Sequence, residues 1–381
     1  MPLPRASLST FLTSAKTLLS NAITSPSQQS SHLTFVIGNE SADLDSLCSA
    51  VLLAYLRTYF PAHAPSSNPT SNSKPTFYIP LSNLSRADLS LRPELHPVLS
   101  RANLNTGDLL TLCDLPKSLA AKRTRWVLVD HNAMAGELGE KYGARVVGVV
   151  DHHADEGKEL LEEDGEDNEG KVIQTVGSCA SLVVEEWRSR RRSALEENPV
   201  WDSQLAGIGL GPIVVDTANL TSKEKTTKTD VEAVKFLDGL LAQGSEVGKA
   251  FDRKSYYEEV TKAKQDIGSL SLYDILRKDY KQWGEASGSI NMGVSSIVKD
   301  ISFLISKAGG EKKFCLELER FAQERGLSIM AVMTTSHQGE DFKRELLVWG
   351  LDEKGMQAAA KFEDDNKAKL GLVRPLETRV G

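Results

Sequence analysis

Four short apolar runs along this chain each end abruptly in acid, amide or imidazole. Phe35-Val36-Ile37 leads into Gly38-Asn39-Glu40-Ser41-Ala42-Asp43-Leu44-Asp45. Trp126-Val127-Leu128-Val129 stops at Asp130-His131-Asn132, and Val146-Val147-Gly148-Val149-Val150 stops at Asp151-His152-His153. Ile213-Val214-Val215 stops at Asp216. Short, β-branched runs of this kind predict buried parallel strands. In an open α/β sheet, ligands bind outside the carboxyl ends of the strands. Four strands that each deliver a carboxylate or imidazole to that edge predict a converged metal site.

Between the runs the apolar period changes from strand to helix. Leu8, Phe11, Leu12, Ala15, Leu18 and Leu19 recur at helical spacing and predict an amphipathic helix packed on the first strand. Ser46 to Phe60 reads as a helix through Leu47, Ala50, Val51, Ala54 and Tyr55, and 61–75, rich in Ser, Asn and Pro, as a loop. A strand at Thr76–Pro80 and helical pieces up to Lys122 follow, with a further helix near Glu137–Tyr142. The acidic stretch from Glu159 to Glu169 reads as a solvated loop. Gly177-Ser178-Cys179-Ala180-Ser181 opens a helix through Trp187, whose Ser178 and first amides either serve as a plain N-cap or receive a phosphate. The Arg188–Arg192 cluster at that helix's end reads as surface electrostatics.

Beyond Asp216 the texture is more polar. A long helical stretch runs to about Ile267, and new strands are expected at Ile290–Ile297, Ser328–Thr334 and Arg344–Gly350, alternating with helices such as Lys313–Arg325. This predicts a second, smaller α+β domain.

Length and charge narrow the class. At 381 residues, two domains are the default. Composition is that of a globular protein, with 40% hydrophobic and 25% charged residues. A net charge of −7 and a pI near 5.7 argue against a protein that coats nucleic acid. No apolar run approaches membrane-spanning length. The four cysteines form no C-x-x-C pair and read as reduced, buried thiols. The expected compartment is the cytoplasm; the Ser- and Thr-rich, acid-poor N-terminus gives mitochondrial targeting as the alternative.

The donor set is rich in oxygen with a few imidazoles, which suits Mn²⁺ or Mg²⁺. Asp43, Asp45, Asp130, His152 and Asp216 are the candidate ligands. Two adjacent cations could hold phosphate oxygens, activate water and neutralise a leaving oxygen, with Asp130 able to bridge them and His153 to orient or protonate the phosphoryl group. His131, beside Asp130, is a candidate substrate residue; His32, His63, His96 and His337 have no comparable setting.

These motifs resemble the DHH phosphoesterase superfamily, named for the triplet that here is Asp151-His152-His153. The run Gly38 to Ser46 is similar to the first motif of eukaryotic cytosolic exopolyphosphatases and their prune relatives. Family II inorganic pyrophosphatases carry His where this chain has Asn39, and animal prune proteins replace the second His of the triplet by Arg, so the resemblance lies with the fungal-type exopolyphosphatases. Asp274-Ile275-Leu276-Arg277-Lys278-Asp279-Tyr280-Lys281 resembles the opening of the accessory domain called DHHA2. By this resemblance, Asp43, Asp45, Asp130, His152 and Asp216 bind two ions, Asn39 sits at the first ion and His153 contacts phosphate. The resemblance also puts the active site between two domains, with Arg277, Lys278 and Lys281 as cations along the path of a polyanion. The group carries a basic Ser-Arg-Lys-Lys-like element near its C-terminus. Here the chain ends Glu377-Thr378-Arg379-Val380-Gly381, with Arg379 as a partial counterpart, and Lys343-Arg344 leads into a strand.

The expectation is therefore an α/β protein. A parallel-sheet DHH domain occupies 1–235, a helical linker 236–255, and a smaller α+β, DHHA2-like domain 256–381. The expected activity is hydrolysis of terminal phosphoanhydride bonds of inorganic polyphosphate by a monomer carrying two divalent cations, Mn²⁺ or Mg²⁺. Asp130 and His153 are the expected catalytic residues. Asn39, His131, His153, Ser178, Arg277, Lys278, Lys281 and Arg379 are the expected substrate contacts. The alternatives are a manganese-dependent pyrophosphatase, a nucleotide phosphodiesterase, or a weakly catalytic prune-like interaction protein.

Overall fold

Three of the four apolar runs are strands, and they lie side by side. The computed structural model describes residues 3–24, 32–61, 75–161, 169–191, 197–244, 251–284, 290–338 and 341–372. Its residues divide into two units, Met1–Asp266 and Ile267–Gly381.

The first unit opens with α1 (Leu8–Thr24), β1 (Leu33–Ile37), α2 (Leu44–Tyr59), β2 (Tyr78–Leu81) and α3 (Leu95–Arg101). It continues with β3 (Thr124–Val129), α4 (Gly136–Tyr142), β4 (Val146–Asp151), β5 (Gly170–Ile173), α5 (Cys179–Arg191), α6 (Pro199–Asp216), α7 (Lys228–Gly244) and α8 (Arg253–Gln265). The five strands form one parallel sheet in the order β2-β1-β3-β4-β5, with Phe35 paired to Trp126 and Leu128 to Val149. Period-two alternation assigns each residue a face. Val36, Val127, Val129 and Val150 turn toward α2, α5 and α6. Phe35, Ile37, Trp126, Leu128 and Val149 turn toward Ala15 and Leu19 of α1 and Tyr142 of α4. Helices thus cover both faces, and the carboxyl ends of β1, β3 and β4 open onto the loops 38–43, 130–135 and 152–154.

The apolar face of α1 is buried as its spacing predicts, with Leu8, Phe11, Leu12 and Ala15 all at most 1% exposed. That face meets both β1 and β2: Ala15 and Leu19 share a cluster with Leu33, Phe35 and Ile37 of β1 and with Ile79 and Leu81 of β2.

The fourth run is not a strand. Ile213-Val214-Val215 is the last turn of α6, an 18-residue helix capped by Asn198 and started by Pro199. Packed between α2 and α7, α6 is apolar almost all round, with Leu205, Ala206, Ile208, Leu210, Ile213 and Val214 buried. Such a helix has no period that separates it from a buried strand. Gly211 marks the tight contact with its neighbours, since a Cβ there would meet Val98 at 2.9 Å. Asp216 therefore reaches the site from a helix end.

The stretch 236–255, expected as a linker, carries Leu237, Leu240 and Leu241 of α7 into the core of the first unit, where Tyr256 and Val260 of α8 join them. Glu169, at the end of the expected solvated acidic loop, instead accepts from Arg57 and Tyr78. Arg57 is 6% exposed and makes a two-armed pair with Glu186 at 2.9 Å on each arm. Arg190 and Arg191 are likewise engaged inward, by Glu186 and Asp202.

The second unit contains α9 (Leu272–Lys278), β6 (Tyr280–Gly284), β7 (Asn291–Ile297), α10 (Ile301–Ala308), α11 (Glu311–Glu324), β8 (Ile329–Gln338), β9 (Asp341–Gly350) and α12 (Glu353–Leu370). Its sheet runs β6-β7-β8-β9, with β7 and β8 parallel and the outer pairs antiparallel. Phe314, Leu318 and Phe321 of α11 pack with Leu276, Leu304, Met330 and Val332. Strands β7, β8 and β9 are those expected from the sequence. The exposed edge strands β5 and β6 were not foreseen, because neither buries the apolar side chains that mark a strand. No helix among the described residues is long and apolar enough to cross a membrane.

Candidate metal centre

Asp130 is the hub of the site. It follows β3 in a left-handed conformation (φ 62°), which Asp tolerates better than most residues. Its carboxylate is 3% exposed. Asn39 Nδ2 donates to Oδ2 at 2.8 Å, and Ser46 Oγ donates to the same oxygen at 2.6 Å. His152 Nε2 lies 3.0 Å from Oδ1. Asn39 also accepts from the Ala42 amide through Oδ1 at 3.2 Å. Both ends of the Asn39 amide are therefore occupied in holding the first loop against Asp130.

His152 is oriented from behind. Its Nδ1 faces the Val176 carbonyl oxygen at 2.9 Å. A carbonyl can only accept, so Nδ1 carries the hydrogen and Nε2 is left to face the acids, the arrangement that suits an imidazole metal ligand. His153 is held differently. Its Nδ1 lies 2.8 Å from Asp151 Oδ1, and the ring is 46% exposed. Asp151 is fully buried, and it also accepts from Asn132 Nδ2 at 2.5 Å and the His152 amide at 2.7 Å. Asn132 in turn accepts the Glu156 amide through its Oδ1 at 2.8 Å.

Asp45 bridges two helices. It lies in the first turn of α2, yet its carboxylate accepts from the N-terminal turn of α5: Cys179 N at 2.6 Å, Ala180 N at 2.9 Å and Ser178 Oγ at 2.9 Å. Ser49 Oγ adds a fourth donor at 3.1 Å. The α5 terminus expected to offer Ser178 and its amides to phosphate is thus filled by this chain's own carboxylate, because a helix N-terminus accepts any anion that reaches it. The turn before α5 is fixed by buried Asp230, which accepts from Gly177 N and Ser181 Oγ. Asp43 caps α2 through the Ser46 amide at 3.0 Å. Asp216 makes no hydrogen bond or ion pair with any described residue.

The charges in this cluster strain one another. Burial, then the charges of Asp43 and Asp45, push the Asp130 carboxyl well up. Burial raises Asp45 too, against the opposing pull of His152. Burial and the charge of Asp45 lift Asp216 to about 7 despite Lys264 and Lys225. For His152, burial acts downward, but the bond to Asp130 and the charge of Asp45 outweigh it and raise the imidazole to about 10. Asp151 goes the other way: burial acts upward, but the bonds from His153 and Asn132 outweigh it and hold it at about 2. A buried Asp130 raised by neighbouring carboxylates, beside an Asp216 with no donor among the described residues, fits a divalent cation. Asp130, His152 and His153 offer one ligand atom each within 4.8 Å of one another.

The remaining expected residues are spread more widely. His131 is half-buried with Nδ1 2.9 Å from the Val129 carbonyl. In the second unit, Arg277 pairs with Asp274 at 2.8 Å and Lys281 is exposed on β6. Lys278 is only 4% exposed, so it is not part of a solvated helix face. In β9, Lys343 pairs with Glu345 and Arg344 lies over Phe342. Arg379 falls outside the described residues. Sequence reasoning gave no role to Ser46, Ser49, Asn132 or Asp230. Asn132 stands in the same tripeptide as Asp130, and Ser46 directly follows Asp45, so adjacency was the only available signal.

Two family models match the chain: the DHH family N-terminal domain over residues 34–210 and the DHHA2 domain over residues 258–379. A candidate exopolyphosphatase of Schizosaccharomyces pombe is 31% identical, covering 94% of this chain and 86% of its own length. Exopolyphosphatase PRUNE1 of Rattus norvegicus is 28% identical over 81% of this chain, which spans 62% of that relative's length. A manganese-dependent inorganic pyrophosphatase of Methanocaldococcus jannaschii is 22% identical over 84% of this chain and 88% of the relative. The crystal structure of a candidate family II inorganic pyrophosphatase from Methanococcus jannaschii shares the fold, with a TM-score of 0.58 at 21% identity, covering 91% of this chain and 97% of the other.

Proposed function

Because this chain belongs to the DHH phosphoesterase family, in its exopolyphosphatase and prune branch, we propose that it is a metal-dependent exopolyphosphatase. It removes orthophosphate from the ends of inorganic polyphosphate. The observation that carries this reading is the convergence on buried Asp130 of His152, at 3.0 Å, and of the charges of Asp43 and Asp45, with Asp216 lacking a donor among the described residues.

Asp43, Asp45, Asp130, His152 and Asp216 would hold two divalent cations, Mn²⁺ or Mg²⁺, with Asp130 as the ligand they would share. When bound, such a pair polarises phosphoryl oxygens, supplies a nucleophile from water near neutral pH and stabilises the leaving oxygen. The chain's own residues do the rest. Ser46 and Asn39 keep Asp130 from rotating. The Val176 carbonyl keeps His152 Nε2 turned to the acids. Asp151 holds His153 by Nδ1, leaving Nε2 on the exposed side of the ring for a phosphoryl oxygen. His131 is the candidate contact for the rest of the anion, and Ser178 acts through Asp45.

Occupation of both ends of Asn39 within the protein favours this reading over a pyrophosphatase, which in this superfamily resembles it but carries imidazole at that position. The test is phosphate release from long-chain polyphosphate, tripolyphosphate and pyrophosphate with Mn²⁺ or Mg²⁺, beside an Asp130→Ala control. Metal-dependent release from the longer substrates, lost in the control, is expected. Release from pyrophosphate alone would replace the reading with the pyrophosphatase one. A control with the parent rate would end the bridging role of Asp130.

A further inference from the structure

Directly after Asp216 the chain makes a turn of the wrong hand. Ala218, Asn219 and Leu220 all have positive φ, at 49°, 53° and 68°. Three consecutive non-glycine residues in this region form one left-handed turn, which L-residues resist because Cβ crowds the following carbonyl. Such a turn persists only when its surroundings over-determine it.

The surroundings are specific. Asn219 N donates back into α6 to the Val214 carbonyl at 2.6 Å, and Ser222 N donates to the Thr217 carbonyl at 3.0 Å. Thr217, fully buried, ties the turn from inside: its hydroxyl donates to the Ile213 carbonyl at 2.6 Å and accepts the Leu220 amide at 3.1 Å. From outside, Arg253 at the start of α8 donates Nε to Asn219 Oδ1 at 2.9 Å, while its Nη1 holds Asp238 of α7 at 2.5 Å. One guanidinium thus fastens the turn to two other helices.

We propose that Arg253 is a positioning residue for divalent-ion binding. By clamping Asn219 it stabilises the left-handed turn 218–220, and that turn fixes the end of α6 so that the Asp216 carboxylate stays in the site. Asp216 has no hydrogen bond of its own to orient it, so its backbone is what aims it. This inference rests on the assignment of Asp216 as an ion ligand.

The test is calorimetric titration of Mn²⁺ into the EDTA-treated, full-length protein, giving the number of ions and each affinity. Arg253→Met should weaken one class of site about tenfold and leave the other within about twofold. Arg253→Lys keeps a charge for Asp238 but has no Nε to give Asn219, so it should show the same loss; it also serves if the methionine variant fails to fold. The decisive variant adds Ala218→Gly to Arg253→Met. Glycine accepts left-handed φ without the clamp, so ion affinity should return to within about threefold of the parent. A loss through the Asp238 pair alone would not be rescued by a glycine at 218, and that result, or unchanged affinity in both single variants, overturns the clamp. Asp216→Ala separates the two layers of the argument. If it binds Mn²⁺ as the parent does, the ligand assignment falls, whatever Arg253 does.

Discussion

Replacing Asp216 by asparagine should stabilise the ion-free protein at alkaline pH and remove much of the stability that a divalent ion confers. Burial and the Asp45 charge raise the Asp216 carboxyl from 3.8 to about 7. The folded state therefore disfavours the ionised form. This penalty is absent below the unfolded value, grows as pH rises from about 4, and is complete above about 7. The difference corresponds to about 4 kcal/mol at full strength, and solvent screening of a partly buried group reduces it to about 2 kcal/mol. Asparagine is nearly isosteric, cannot ionise and sacrifices no hydrogen bond, since no described residue donates to Asp216. In EDTA at about pH 8 the variant should melt about 4–8 °C above the parent, and the gap should close near pH 4. With Mn²⁺ at about a hundred times its dissociation constant, the parent should gain about 2.7 kcal/mol and the variant clearly less. Scanning calorimetry of both proteins, with EDTA and with Mn²⁺, reads all four states. A variant that melts at or below the parent in EDTA at pH 8, or a gap that does not vary with pH, would refute the charge-repulsion account of this cluster.

Ion binding should expel a proton from His152. Its ring is raised to about 10 and is protonated at neutral pH, so a cation that takes Nε2 should bind about tenfold more tightly per pH unit between about 7 and 9. Titrations in buffers of different ionisation enthalpy should count about one proton released as the site that His152 serves is filled; none released would remove His152 from the ligand set. Asp151→Asn, which loosens His153, should lower kcat for polyphosphate about 10- to 100-fold, with Mn²⁺ affinity changed less than kcat. Gly177→Ala puts a Cβ 2.6 Å from Thr217 Cγ2 and 3.0 Å from the Lys225 carbonyl oxygen; thermal melts should show a loss of about 1–3 kcal/mol. Arg57→Met leaves Glu186 and Glu169 without their buried partner, and denaturant unfolding should show a loss of about 3–5 kcal/mol.

The sequence made the sheet legible because its central strands are buried on both faces, and such strands read as unbroken apolar runs. The same signal misread the fourth run. Ile213-Val214-Val215 is equally buried in α6, and only the Asn198-Pro199 start and the 18-residue length distinguish a helix there. The acids and imidazoles of the site were visible because they stand next to the runs. Their support was not. Asp45 meets Ser178 across 133 residues and Asn39 meets Asp130 across 91, and no local pattern announces a donor so far away. The resemblance puts Lys278 along the path of a polyanion, but its burial at 4% exposure comes from packing that the neighbouring Arg277 and Asp279 do not announce.

The support for His152 and Asp45 has a further consequence for how this protein can vary. The Val176 carbonyl orients His152, and the Cys179 and Ala180 amides hold Asp45. These are main-chain atoms, and every residue except proline supplies the same amide. Exchanging Val176 or Ala180 for a neighbour of similar size would leave the contacts in place, so a mutational scan reading side chains one by one would score these positions as permissive. The information is carried by the path of the backbone. It becomes visible to substitution only where a change bends that path or deletes a donor: a Cβ at Gly177, or proline at 179 or 180.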